Sequence, residues 1–127
     1  MDINLISGNI IRAAIEVHKE LGPGLLESTY EECLCYEFEN RNIIFERQKN
    51  LPLIYKGKKL DAGYRLDIVV ENAVILELKA CEKFEPIYMA QLLTYLKLSN
   101  LKLGLILNFN VPLMRDGIIR VVNGLED

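Results

Sequence analysis

The sequence predicts an α/β fold, a mixed β-sheet flanked by helices, in the order α-α-β-β-β-α-β-β within one domain over residues 1–127. Three observations lead there. The N-terminal part carries two helical stripes. The middle of the chain runs through three β segments joined by short turns. A proline-led helix then crosses over to a further buried strand, which is how strands and covering helices come to share a layered domain.

The first helix is read from Ile6, Ile10, Ala13/Ala14, Val17 and Leu21, spaced three and four apart with Arg12, Glu16, Lys19 and Glu20 off the stripe. Gly22, Pro23 and Gly24 in "LGPGLLES" end it. A second helix follows from Glu27 to Asn40, with Tyr30, Cys33, Leu34 and Phe38 inward. Residues 43–70 read as two β segments around a turn at Lys56-Gly57. Pro52 makes the first an edge or bent strand, because proline cannot donate to a ladder. "AVILELKA" is the third strand, and Pro86 opens the helix "PIYMAQLLTYLKLS". "LKLGLILNFN" supplies a short buried strand and "DGIIRVVNG" the last one.

At 127 residues the chain can bury roughly two thirds of its unfolded surface. Hydrophobic residues at 50% and charged residues at 26% fit a soluble globular protein. A net charge of -3 argues against a generally basic nucleic-acid coat and leaves room for a local basic cleft. Three cysteines, Cys33, Cys35 and Cys81, show no framework spacing and read as small buried hydrophobes of a reducing compartment. Charged and polar residues break up the first twenty positions, and no apolar run approaches the roughly 20 residues of a membrane span. The expectation is a cytoplasmic protein that meets no membrane.

The chemistry concentrates in "LDIVVENAVILELKA", where Asp67, Glu77 and Lys79 interrupt an apolar hairpin. With a two-residue loop at Glu71-Asn72, Asp67 would pair with Leu76 and Glu77 would face away. With a three-residue loop, Glu71-Asn72-Ala73, Asp67 stands opposite Glu77. Both loop lengths are common, and one residue of register flips every side chain. Opposed carboxylates about 5 Å apart repel unless protonated or bridged by a cation. A hard ion such as Mg²⁺ with retained waters suits such a pair. The ordinary alternative is a half-exposed strand, on which Glu77 and Lys79 would simply alternate with Leu76, Leu78 and Ala80.

The surrounding residues weigh against that alternative. "GLLESTY", with Gly24, Glu27 and Tyr30, the preceding "IEVHKELGPG", and the run from Leu66 through the last strand together resemble the GxxExxY family, named after its own motif. That family is placed in the PD-(D/E)XK nuclease superfamily, so the resemblance implies a restriction-endonuclease-like fold and a metal-dependent nuclease. It implies Asp67 and Glu77 as ligands of Mg²⁺ or Mn²⁺, with the Leu78 carbonyl and Glu27 completing the metal side, and Lys79 as the motif's catalytic lysine. Gln91 and Tyr95 in "QLLTY" look like the Q-x-x-x-Y element of RecB-type exonucleases, a substrate-binding role in which Tyr30 joins them, while Arg65, with Lys79 and Lys83, is read from its charge as a residue that could hold phosphate. Leu66 stands where the superfamily's name has a proline.

Elementary geometry agrees with part of this. Gln91 and Tyr95 share a helical face, as do Glu27 and Tyr30, although a core tyrosine with a capping glutamine, and a carboxylate that only favours a helix start, fit the same positions. In the three-residue register Arg65 opposes Lys79, an arrangement that favours an anion between them. His18, on the flank of an apolar stripe, reads as a structural residue. Arg47, Lys49, Lys56, Lys58 and Lys59 form a second basic cluster, read first as a solvated edge that discourages strand pairing and second as a surface that tracks DNA. The expected partner is nucleic acid, DNA ahead of RNA. The open last strand, Ile118 to Val122, could support a homodimer. The rivals are a non-catalytic binding or assembly module on the same fold, and a hydrolase of small nucleotides.

Overall fold

The first helix starts one turn earlier than its apolar stripe. In the computed structural model, which describes residues 2–125 apart from the Ala62 side chain, α1 runs from Ile3 to Leu21. Asp2 caps it, its carboxylate accepting from the Asn4 N–H at 2.9 Å, which satisfies one of the donors a helix start leaves unpaired. Its buried face holds Ile6, Ile10, Ala13, Ala14 and Val17 of the expected stripe, with His18 added, whereas Leu21 at the helix end is exposed.

Helix α2 (Glu27–Asn40) buries Tyr30, Leu34, Cys35 and Phe38. Of the three cysteines expected to be buried, only Cys35 is: it lies three residues before Phe38 on the packed face, while Cys33 sits half-buried on the flank and Cys81 is likewise half-buried. Burial pushes the Cys35 thiol up to about 12, which makes it a packing group and not a nucleophile.

Five strands follow, interrupted by one helix: β1 (Phe45–Tyr55), β2 (Lys58–Val70), β3 (Val74–Lys79), α3 (Ile87–Ser99), β4 (Leu103–Asn108), a 3₁₀ turn (Met114–Gly117) and β5 (Ile118–Val122). They form one sheet in the order β1-β2-β3-β4-β5, antiparallel except for the parallel pair β3–β4. This is the mixed, helix-flanked sheet that the sequence predicts. β1 is an edge strand, and its register shifts between Leu51 and Leu53, so Pro52 marks both an edge and a bend. Lys56 and Gly57 turn the first hairpin with φ of 49° and 79°, the positive values a tight two-residue turn requires.

Two apolar layers cover the sheet. One packs α1 and α2 onto Ile68, Val70, Val74, Leu76, Leu78, Leu103, Leu105 and Leu107. The other packs Leu92, Tyr95 and Leu96 of α3 onto Val69, Ile75, Ile106 and Val121. β4 is buried along its whole length, which explains its uninterrupted apolar run. Gly104 lets α3 approach: a Cβ there would come within 2.8 Å of Leu92.

Gly117 is tighter still, since a Cβ would come within 2.0 Å of the Asn108 main-chain oxygen, an atom with no rotamer to give way. Gly117→Ala should therefore lower stability by about 2 kcal/mol or more in urea unfolding. Gly8→Ala, inside α1 with only the tip of Arg12 nearby, should raise it by about 0.5–1 kcal/mol.

Candidate active site where two strands part

β2 and β3 pair Val70↔Val74, Val69↔Ile75 and Ile68↔Leu76. The loop they enclose is the three-residue one, with φ of 54° at Glu71 and 51° at Asn72. Glu71 anchors it, its carboxylate accepting from the Ile44 N–H at 3.0 Å while its own N–H donates to the Ile44 carbonyl at 2.9 Å. Extending the register by one residue brings Asp67 opposite Glu77.

The main-chain ladder stops at that step. Asp67 Oδ2 accepts from the Leu78 N–H at 2.9 Å, so a side chain takes an amide that a paired strand would have used. The alternation of faces also breaks there. Ile68 and Val70 join the α1/α2 layer, whereas Leu66, an even number of residues away, joins the α3 layer. Across from Asp67, between the pairs Arg47↔Ile68 and Lys49↔Leu66, Gln48 adopts φ 48°. β2 thus twists away from β3 at the carboxylate and opens a split in the sheet.

Glu77 lies in the floor of that split. Its Oε1 is buried with no hydrogen-bond partner, an expensive condition for a carboxylate. Burial pushes its pKa up to about 9, assisted by the Asp67 charge and by a side-chain contact with Asp67, with Lys79 acting in the opposite direction. Glu27, the first residue of α2, lines a cleft of about 480 Å³ with Leu26, Ser28, Glu31, Gln48 and Asp67. Loss of solvent and the Asp67 charge raise its pKa too, against the pull of Lys79. Asp67, Glu77, Glu27 and Lys79 therefore share one electrostatic neighbourhood drawn from three elements.

Lys79 ends β3 with its Nζ 4.5 Å from the centroid of the Tyr88 ring, and Phe84 meets that ring edge-on at 5.4 Å. The chain beyond it is clamped. Asn108 donates from Nδ2 to the Cys81 carbonyl at 3.1 Å and accepts from the Cys81 N–H at 3.2 Å, acting as one more peptide unit of the ladder. The Phe109 N–H completes the clamp on the Lys79 carbonyl at 3.0 Å. Gln91 and Tyr95 lie together on α3. Tyr95 is nearly buried, with its pKa raised by burial and then by Glu77, while Gln91 one turn earlier pulls it the other way.

Two expected substrate contacts do not form part of this group. Tyr30 is wholly buried and stacked on Phe109 at 4.5 Å, and its hydroxyl donates to the Gly22 carbonyl at 2.6 Å while accepting from the Leu25 N–H at 3.1 Å. It presents nothing to a substrate. Its bonds instead staple the Gly22–Leu25 loop and so aim Glu27. Gly24, at φ 100°, supplies the turn between them, which gives the Gly24-Glu27-Tyr30 spacing a mechanical meaning. Arg65 is exposed opposite Asn50 of β1, and its expected pairing with Lys79 is missing because β2 and β3 have already parted.

His18 is structural, its Nε2 2.7 Å from the Val111 carbonyl oxygen. In the basic cluster, Arg47 is bound by Glu31 at 2.8 Å and Glu32 at 3.0 Å, so this cation serves to tie β1 to α2. The sequence reading missed Tyr64, Asn108 and the contact of Tyr88 with Lys79. A polar Asn108 closing a six-residue apolar strand was the available signal for the clamp.

Among the described residues, no three His, Cys, Asp or Glu side chains are close enough to cage an ion unaided. The donor set here is one carboxylate pair with an orphaned oxygen. That fits a hard divalent cation, which binds through one or two carboxylates and keeps water and phosphate in its shell.

A split antiparallel pair carrying an Asp, a Glu and a Lys two residues beyond it, on a five-stranded mixed sheet between helices, defines a restriction-endonuclease-like fold. The model of the PD-(D/E)XK nuclease superfamily matches residues 4–121, and the chain belongs to that superfamily. Such nucleases act on nucleic acid and generally use divalent metal ions. No curated protein and no solved structure gives a significant match.

A carboxylate whose folded pKa lies above its unfolded value keeps its proton longer in the native state. Its contribution to stability is therefore present below the ordinary glutamate pKa and lost as pH rises towards about 9. Glu77→Gln should remove that loss. In EDTA at pH 8 the variant should melt about 3–6 °C above the wild type, the shift expected from roughly 1 kcal/mol in a domain of this size. The gap should close by pH 5.

Proposed function

We propose that this chain is a metal-dependent phosphodiesterase of the GxxExxY group, hydrolysing DNA in preference to RNA with Mg²⁺ or Mn²⁺. The observation that carries the proposal is the buried, unpartnered Oε1 of Glu77 beside Asp67, an arrangement that costs stability and gains a use when a cation neutralises it. Asp67 and Glu77 would hold the ion, with the Leu78 main-chain carbonyl and Glu27 on its α2 side. When bound, such an ion polarises a phosphate and lowers the pKa of its water.

The chain's own residues do the rest. Lys79, on Tyr88, supplies positive charge to the phosphoryl oxygens as negative charge builds on them. The Asn108 clamp fixes the strand end from which Lys79 projects. Gln91 and Tyr95 line the approach on α3 and orient the substrate beside Glu77. Arg65 offers an exposed cation at the margin. The outermost strand, β5, where Val122 is exposed, offers an edge to a second copy of the chain, which sedimentation at two concentrations would detect.

Mn²⁺ should raise the melting temperature of the wild type and leave Asp67→Asn unchanged. Calorimetric titration should find one or two ions per chain, absent in the variant. The assignment fails if a folded wild type shows neither effect or if Asp67→Asn still cleaves DNA. Lys79→Ala should keep the Mn²⁺ response and slow cleavage by about 10²–10³, the usual loss when one preorganised charge is removed from a transition state.

A further inference from the structure

The hairpin of β1 and β2 outgrows the sheet. β2 pairs with β3 only through Ile68, Val69 and Val70, whereas its pairing with β1 continues out to Tyr55↔Lys58. Residues from Lys58 to Leu66 thus belong to a two-stranded ribbon that projects past the candidate site. Its two faces differ. On the α3 side, Leu53 and Tyr64 line a hollow of about 250 Å³ with Gln91, Thr94, Tyr95 and Leu98. By alternation and register, Leu60, Lys58 and Tyr55 continue the same face to the tip, through the pairs Leu53↔Leu60 and Tyr55↔Lys58.

This face carries aromatic rings and cations in sequence. Tyr55 is 58% exposed at the tip, with Lys56 Nζ 5.5 Å from its ring centroid and Lys58 paired beside it. Tyr64 is 44% exposed and inclined to Tyr95, their centroids 6.1 Å apart at 55°. Tyr95 in turn lies close enough to Glu77 to feel its charge. No ion pair involves Lys56, Lys58 or Lys59 among the described residues, in contrast to Arg47 and Lys49 nearer the sheet. The nine steps from Lys58 to Asp67 span about 30 Å at the usual strand rise.

We infer that this ribbon face is a track for single-stranded nucleic acid, with Tyr55 and Tyr64 as stacking platforms for unpaired bases and Lys56 and Lys58 as phosphate contacts, leading the strand past Tyr95 to Glu77. Aromatic rings spaced along a cationic surface fit unpaired bases, whose faces are free, better than a duplex, whose faces are stacked inside. A tip carrying Lys56, Lys58 and Lys59 supplies the complementary charge on a chain that is acidic as a whole. The inference rests on the nuclease reading for its direction of travel. Its binding half stands on the ribbon alone.

The test is fluorescence anisotropy of the full chain in EDTA, so that binding is read without cleavage. Two probes of equal length are compared, a labelled oligodeoxythymidylate and a blunt duplex. The single strand should bind at least tenfold more tightly than the duplex. Tyr64→Ala and Tyr55→Ala should each weaken it about tenfold, and Tyr64→Phe should restore most of the loss, as stacking on a ring predicts. Lys58→Ala should lower the slope of log K against log salt by about 0.7. Tyr55 is exposed at the tip, so its variant tests the track even if Tyr64→Ala disturbs the packing against Tyr95. Equal or tighter duplex binding, unchanged affinity in both tyrosine variants, or no oligonucleotide binding would each overturn the inference. None of these outcomes touches the Mn²⁺ response of Asp67, which decides the nuclease reading separately.

Discussion

The hydrogen bond from the Leu78 amide to the Asp67 carboxylate holds the rest of the arrangement in place. It ends one ladder and replaces it with a side chain, so β2 can swing outward without leaving the buried amide unpaired. From that swing follow the shift of Leu66 to the α3 layer, the exposure of the cleft beside Glu27, and the projecting ribbon. A regular ladder through Asp67 would have been more stable locally and would have sealed the site.

Elsewhere the fold stiffens what this split loosens. Tyr30 ties the Gly22–Leu25 loop to α2, Arg47 ties β1 to Glu31 and Glu32, and Asn108 extends the ladder past Lys79. These three devices tie the loop before α2, the edge strand β1 and the end of β3 to their neighbours. Their polar groups are spent on the protein itself, which leaves Glu77 as the buried side-chain oxygen among the described residues with no partner. The unsatisfied group is thus isolated at one point, as expected where stability has been conceded for binding.

Much of this was legible from local pattern. Helix α2 has the predicted bounds, the element order holds, and Pro52 marks the edge strand it was expected to mark. Strong periodicity and proline chemistry are local signals, so they survive without knowledge of the fold. The loop between β2 and β3 was readable only as two alternatives, because Glu71-Asn72 and Glu71-Asn72-Ala73 are both ordinary turns and the choice depends on contacts such as Ile44 with Glu71. Tyr30 was misassigned because helical spacing gives its direction but not the carbonyl that its hydroxyl finds eight residues back. The break of alternation at Asp67 has no sequence signature at all, since Leu66 and Ile68 are equally apolar and differ only in which layer receives them.

The parallel pairing of β3 with β4 has a consequence for how the molecule comes into being. Glu77 lies opposite Ile106, and Tyr95 of α3 is near enough to feel its charge. A nascent chain that has just delivered Asp67 and Glu77 can close their hairpin, since those contacts are short in sequence, yet both carboxylates would remain in water. Only when the segment near residue 108 arrives, by the slower route of a crossover connection, is Glu77 desolvated and the clamp beyond Lys79 made. A chain not yet grown past β3 carries its acidic residues but lacks the strand that desolvates Glu77 and the asparagine that fixes the end of β3.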